Sequence, residues 1–387
     1  MSIFDMEIDR KNSDSVKWNG MKHLYGTNDL LPMWVADMDF QAPQQVIQAL
    51  MDRIQHGVFG YALSSRTITE AIINWTKKRY KWDIKEEWIV LCSGVVKSIA
   101  FSIQALTNEG DKILIQTPIY PPFVRMIETN NRTVVRNPLV LKGDRYEIDF
   151  QHFEDQLKSG VKLVLLCSPH NPTGRVWTRE ELERIAALCE QYDIPIVSDE
   201  IHGDLIFPSY EQIPISSLND QTENRTITLF APSKTFNIPG LQCSVMVIPD
   251  ADIRRKIKKQ MDQVAFHGPN LLGVVAAEAA YTYGEDWLDE LNQYIAENVR
   301  LTKEFIEKEI PHVHVISSQG TYLVWLDCRE LGLTEKELMD RLIKKGKLAV
   351  EPGTKYGPEG EGFVRMNVGC PRKTLLEGLK RLKYALA

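Results

Sequence analysis

The sequence has no CxxC pair. Cys92, Cys167, Cys189, Cys243, Cys328 and Cys370 lie far apart, which argues against a zinc site or a disulfide framework and favours a reducing cytoplasm. It also lacks any apolar run near the ~18 to 20 residues that a membrane span needs. The amino-terminal stretch MSIFDMEIDRKNSDSVKW carries charge of both signs and no apolar h-region, so a cytosolic, unprocessed chain is expected. Positive charge is not in excess: 46 Lys and Arg stand against 52 Asp and Glu, a formal net charge of -6. Such a chain projects no net field that gathers phosphate backbones or anionic lipid. Nucleic acid, membrane and metal are therefore not expected partners. Internal repeats, low-complexity tracts and long Gly/Ser linkers are absent, which leaves any domain division to packing rather than to a tether.

What is present is an ordinary globular composition, 387 residues with 43% apolar and 25% charged content, enough for one large core and a second, smaller one. Residues 1–45 show no clear periodicity and suit an extended arm lying against something else. A helix is expected after Pro43. From about 65 to 285, β-rich runs (WIVLCS, KILIQT, VKLVLLCS, IPIVSDE, TITLFAPS) alternate with helical stretches, among them one over 178–190. The alternation predicts an α/β fold, a mostly parallel central sheet with helices on both faces. After a long helix near 287–310, HVHVIS, TYLVWLDC, a helix over 335–345, GFVRMNVG and a last helix predict a smaller α+β domain. The expected division is an arm (1–45), a large domain (46–285) and a small carboxyl-terminal domain (286–387).

In open parallel sheets, ligands collect outside the carboxyl ends of strands. The residues standing there are Ser93-Gly94, Thr117 to Tyr120, Ser168 to Gly174, Asp199 to His202 and Ser233-Lys234. Lys234, straight after an apolar strand, could form an imine with an aldehyde if its pKa is lowered; by itself it reads first as a solvated loop lysine, and only its surroundings favour the imine. Asp199 ends a buried strand, where a carboxylate needs a cationic or hydrogen-bonding partner, or caps a following helix. SPHNPTG places Asn171 in what is otherwise a rigid Pro/Gly turn. Gly94, Val95 and Val96 would offer amides and a helix dipole to a phosphate.

The motifs SPHNPTG, SDEIHGD, APSKTFNIPG and GFVRMNVG resemble those of the fold-type I, class I/II aminotransferase-like family of pyridoxal-phosphate enzymes. DLLPMWVADMDF, HGVFGY and YGPEGEGFVRMNVGCPR are similar to its cystathionine β-lyase branch, the MalY/PatB type of carbon-sulfur lyase, and the resemblance spans about 28–375. It implies a three-layer α/β/α fold and pyridoxal 5'-phosphate as cofactor. It implies that Lys234 is the Schiff-base lysine and the base at Cα, that Asp199 pairs with the ring nitrogen, and that Asn171 bonds the ring O3' and leans toward the substrate carboxylate. Tyr120 would stack on the ring, and Gly94, Val95, Val96 and Ser233 would surround the phosphate. Tyr61 would reach that phosphate from the partner subunit of a homodimer. Arg365 would bind the substrate carboxylate with a planar two-pronged contact, although strand alternation puts it on one face with Phe363. His202 either lies near the ring oxygen or caps a helix. Trp34, Asp37, Met38 and Tyr322 are candidates for the pocket wall.

One position departs from many aminotransferases, which place an arginine eight residues after the lysine; here it is Gln242. The implied reaction is α,β-elimination from L-cystathionine, and from cystine or other cysteine S-conjugates, to a thiol, pyruvate and ammonia. An aminotransferase is the alternative reading. A regulator that binds a transcription factor is a further one.

Overall fold

The computed structural model describes residues 2–61 and 66–386. Its centre is a seven-stranded sheet built from β1 (Ile89–Cys92), β2 (Lys112–Thr117), β3 (Thr133–Pro138), β4 (Val161–Cys167), β5 (Ile196–Asp199), β6 (Thr226–Phe230) and β7 (Ser244–Val247), in the spatial order β1-β7-β6-β5-β4-β2-β3. Strands β2 to β6 pair in parallel, whereas β7 is antiparallel to both its neighbours. The apolar runs are continuous because both faces are covered. Ile113, Ile115, Leu163, Leu165 and Val197 pack with helices α1 (Val95–Leu106) and α2 (Pro121–Thr129) on one face. Their alternates Leu114, Val164, Leu166 and Ile196 meet Leu182, Ile185 and Cys189 of α3 (Arg179–Gln191) on the other. Thr178 and Glu181 form a reciprocal capping box at the start of α3, so this helix begins one residue later than expected. After β6 the chain makes the single turn α4 (Pro232–Thr235).

A second sheet holds β8 (His314–Val315), β9 (Leu323–Asp327), β10 (Glu351–Pro352) and β11 (Phe363–Asn367), antiparallel in the order β8-β9-β11-β10. Against it lie α5 (Glu285–Glu309) and α6 (Arg372–Leu386), whose buried residues Leu288, Leu291, Ile295 and Leu375, Leu379, Leu382 recur at helical spacing. The helix expected over 335–345 is regular only to Asp340 and continues as a wider turn over Arg341–Lys345. Pro43 stands just before the helix Gln44–Gln55 rather than within it.

The arm is more structured than its lack of periodicity suggests. Leu31–Pro32 pairs in parallel with Leu348–Ala349, and Phe4 enters an aromatic cluster with Phe40, Trp287 and Tyr294 at ring distances of 5.1, 5.3 and 5.5 Å. Lys17, 1% exposed, meets Asp39 at 2.7 Å, and Arg10 binds both Asp37 and Asp39. These charge pairs replace the apolar pattern that a sequence reading looks for. Among the described residues no helix is long and apolar enough to cross a membrane.

Candidate active site

Where the carboxyl ends of β4 and β5 face the starts of α1 and α4, a cavity of about 350 Å³ opens. It is lined by Lys234, Asp199, Asn171, Tyr120, His202, Ser233, Gly94, Val95 and Val96, all singled out from the sequence, and also by Ala36, Lys97, Cys167 and Gln242. Lys234 projects from α4 and its Nζ donates to the Ala36 carbonyl at 2.5 Å. Burial, helped by the Arg365 charge and opposed by Asp37 and Asp199, lowers the amine to a pKa of about 8. It is therefore a usable base near neutrality, unlike a solvated lysine.

Asp199 ends β5 and accepts the Ile201 N–H at 3.1 Å. Burial drives its pKa up to about 7, with this hydrogen bond and Lys234 opposing. No helix follows to be capped, since Ile201 to Asp204 form a turn. The same turn removes the capping role considered for His202. Its ring is buried, edge-on to Tyr322 at 6.2 Å, with Nδ1 lacking a partner, and burial together with Lys234 and Arg365 lowers its pKa to about 3. It is a neutral imidazole.

Arg365, 2% exposed, faces inward. Its Nη1 donates to Asn171 Oδ1 at 3.1 Å, its Nη2 to the Trp34 carbonyl at 2.9 Å, and Nη2 lies 2.8 Å from Glu351 Oε2. Nε is buried without a partner. Alternation did not settle this orientation because every residue of β11 is buried: Phe363 stacks on Trp325 at 5.2 Å while Arg365 lies over the Tyr356 ring at 5.0 Å. Burial pulls the guanidinium pKa down, but Tyr356 and Glu351 outweigh it and leave it raised.

Tyr120 caps α2, and the preceding residue, Ile119, donates its N–H to the Tyr356 carbonyl at 2.8 Å. At the other end of the cavity, α1 starts behind Gly94 with no side-chain cap, so its first-turn amides are free to meet an anion. A Cβ added at Gly94 would meet nothing within 4 Å. Lys97 in that turn donates to Ser93 Oγ at 2.9 Å.

The four residues expected in the pocket wall sit differently. Trp34 does not wall the cavity with its ring: the indole donates to the Lys17 carbonyl and packs edge-on to Tyr25, and only its backbone oxygen reaches Arg365. Asp37 is tied to Arg10, and Met38 is buried in the core. Tyr322 donates to the Ala36 oxygen at 3.1 Å, so it supports the lysine's acceptor. Tyr61 is fully exposed on its own chain. Sequence reading missed Ala36, which acts through a carbonyl common to all residues, and Glu351, which reads as a solvated acid.

An amine of lowered pKa, a buried carboxylate short of a cation, an orphaned guanidinium N–H and an uncapped helix start together meet the demands of an aldehyde cofactor with a basic ring nitrogen and a phosphate. The residues fit pyridoxal 5'-phosphate, and the site is that of a pyridoxal-phosphate enzyme. The chain belongs to the aminotransferase class I and II family, whose model matches residues 28–382. It is 44% identical over 385 residues to cystathionine beta-lyase PatB of Bacillus subtilis (strain 168), covering 99% of this chain and 100% of that one. Among solved structures, a PLP-bound protein of Clostridium difficile 630, described provisionally as an aminotransferase, matches with a TM-score of 0.98 at 41% identity and 99% coverage of both chains. The PLP-bound C-S lyase of Staphylococcus hominis matches with a TM-score of 0.92 at 33% identity, covering 99% of this chain and 98% of that one.

Proposed function

We propose that this protein is a pyridoxal-phosphate-dependent carbon-sulfur β-lyase that cleaves L-cystathionine, and cystine or other cysteine S-conjugates, to a thiol, pyruvate and ammonia. The observation that carries the reading is the Lys234 amine, at a pKa of about 8, sharing one cavity with Asp199 and Asn171 beside the buried Arg365. When bound, the cofactor supplies an electron sink for the charge left at Cα. Asp199 holds the ring nitrogen protonated, and Asn171 donates to the ring oxygen. The amides of Val95 and Val96 with the Ser233 hydroxyl hold the phosphate. Arg365 takes the substrate carboxylate, presenting the buried Nε that has no partner in the chain. Lys234 Nζ would remove the Cα proton, a thiolate would leave Cβ with the bonding pair and take up a proton to become the thiol, and water would hydrolyse the remaining enamine to pyruvate and ammonia. His202, neutral and partnerless at Nδ1, adds no charge beside the ring oxygen.

The same reading makes the protein a homodimer in which Tyr61 completes the phosphate site of the other subunit, and divides the chain at 1–45, 46–285 and 286–387. The six free, buried cysteines support work in a reducing cytoplasm.

The test is purified protein with L-cystathionine and no keto acid, with Lys234→Ala alongside. Pyruvate and free thiol in equal amounts from the wild type alone are expected. Turnover only after a keto acid is added would move the assignment to an aminotransferase.

A further inference from the structure

Asp204 takes no part in that chemistry, yet it is a buried acid, 6% exposed, two residues after His202 and hydrogen-bonded to the residue that follows Lys234. Its Oδ2 accepts the Thr235 hydroxyl at 2.8 Å, and its Oδ1 accepts the Trp75 indole N–H at 3.0 Å and the Tyr80 hydroxyl. Asn292 of α5 donates to its backbone oxygen at 2.8 Å. A carboxylate so deep is costly unless its lone pairs are filled, and here three side-chain donors fill them.

What those bonds join matters more than their number. Asp204 closes the turn that Asp199 opens; Gly203 N–H to Glu200 O at 2.8 Å and Leu205 N–H to His202 O at 2.9 Å tighten that turn. Thr235 is the residue after Lys234 and the last of α4, a helix of four residues that begins with proline. So short a helix cannot hold its own orientation, because it closes too few internal hydrogen bonds. Its direction must be set from outside, and the Thr235 hydroxyl bonded to Asp204 does this.

We propose that Asp204 is a positioning residue: through Thr235 Oγ1 it locks α4 to the turn carrying Asp199 and His202, and so fixes the Lys234 amine relative to Asp199. The proposal rests on Lys234 being the reacting amine. The groups facing Asp204 are Tyr80, Trp75 and Arg79 from one helix, Tyr281 from the next, Asn292 and Thr235. Those facing Lys234 are Asp37, Asp199, Arg365 and His202.

The experiment uses cofactor-loaded Thr235→Val, Thr235→Ser and Asp204→Asn, with Ile72→Val as a core substitution on the helix of Trp75 and Tyr80 that weakens the packing but removes none of these hydrogen bonds. The readouts are the pH midpoint of the cofactor absorption without substrate, and kcat and KM separately. Thr235→Val and Asp204→Asn are expected to move the midpoint upward by about half a pH unit or more as the nitrogen linking Lys234 to the cofactor gains water. They should lower kcat about tenfold with KM within about twofold, since misplacement rather than binding is at fault. Thr235→Ser should restore both, and Ile72→Val should move neither. A wild-type midpoint and kcat in Thr235→Val and Asp204→Asn, or an equal shift in Ile72→Val, overturns the proposal. If borohydride fixes no cofactor mass on the wild-type chain, or fixes it equally on Lys234→Ala, the functional reading falls instead.

Discussion

Arg365 and Glu351 stand opposite each other on β11 and β10, Nη2 to Oε2 at 2.8 Å, in a site that excludes water. Glu351 also accepts from Tyr356 and Lys355 and is held below the usual carboxylate range despite its burial, through Arg365 and Lys355. It orients the guanidinium and leaves Nε for a ligand. Arg365→Lys keeps the charge but not the planar fork, so KM for the amino-acid substrate should rise at least about tenfold with a smaller effect on kcat. Steady-state kinetics with L-cystathionine check this, and an unchanged KM would remove Arg365 from substrate binding.

The cofactor-free protein should lose stability between pH 6.5 and 8. Burial raises Asp199 to about 7 and Glu200 to about 8. Each folded value lies above its unfolded one, so the folded state keeps protons that the unfolded chain has released. The resulting stability is present at low pH and fades as pH rises through these values. His170 and His202, lowered to about 4 and 3, act in the opposite sense only below about 6.5, and Lys234, lowered to about 8, opposes the two acids near pH 8 without cancelling them. Urea midpoints should therefore fall from pH 6.5 to 8. Glu200→Gln should remove about 1 to 2 kcal/mol of that fall; a parallel pH profile in the variant would refute it.

Gln242→Arg should slow cofactor release. Gln242 lines the cavity with a φ of 54°, and arginine, which meets the same backbone demand as glutamine, would put a charge near the proposed phosphate site. An added charge-assisted hydrogen bond corresponds to about tenfold in the dissociation constant, measurable by the return of apo-protein fluorescence on dilution.

Tyr61, exposed on its own chain, should act across the dimer. Mixing Lys234→Ala protein with Tyr61→Ala protein should give hybrid dimers with one intact site, recovering up to roughly a quarter of wild-type activity. No recovery, with exchange verified by mass, would place Tyr61 outside the partner's site.

The sheet and its site edge were legible because apolar runs end sharply in Asp199, Ser168 and Lys234. β3 and β7 were not, because the edge strand Thr133–Pro138 buries only Asn137 and the short Ser244–Val247 turns back antiparallel to both its neighbours. Ala36 and Trp34 enter the site through carbonyls, for which side-chain chemistry gives no signal. Asp204 reads as an ordinary acid because its donors Thr235, Tyr80 and Trp75 lie 31, 124 and 129 residues away, and Glu351 does so because only the cross-strand pairing of Glu351 with Arg365 brings it to the guanidinium.

The Ala36 carbonyl over Lys234 belongs to a loop clasped by Asn367, whose Nδ2 donates to the oxygens of Val35 and Asp37, 332 and 330 residues away in the chain. On a translating ribosome at about 5 to 20 residues per second, the arm therefore waits roughly 16 to 66 s for its clasp. The lysine is made well before its roof can be fastened. A chain released short of Asn367 carries every residue of the cavity lining without the element that seats the amine, so the order of synthesis leaves the working site unfinished until the last strand of the second sheet has emerged.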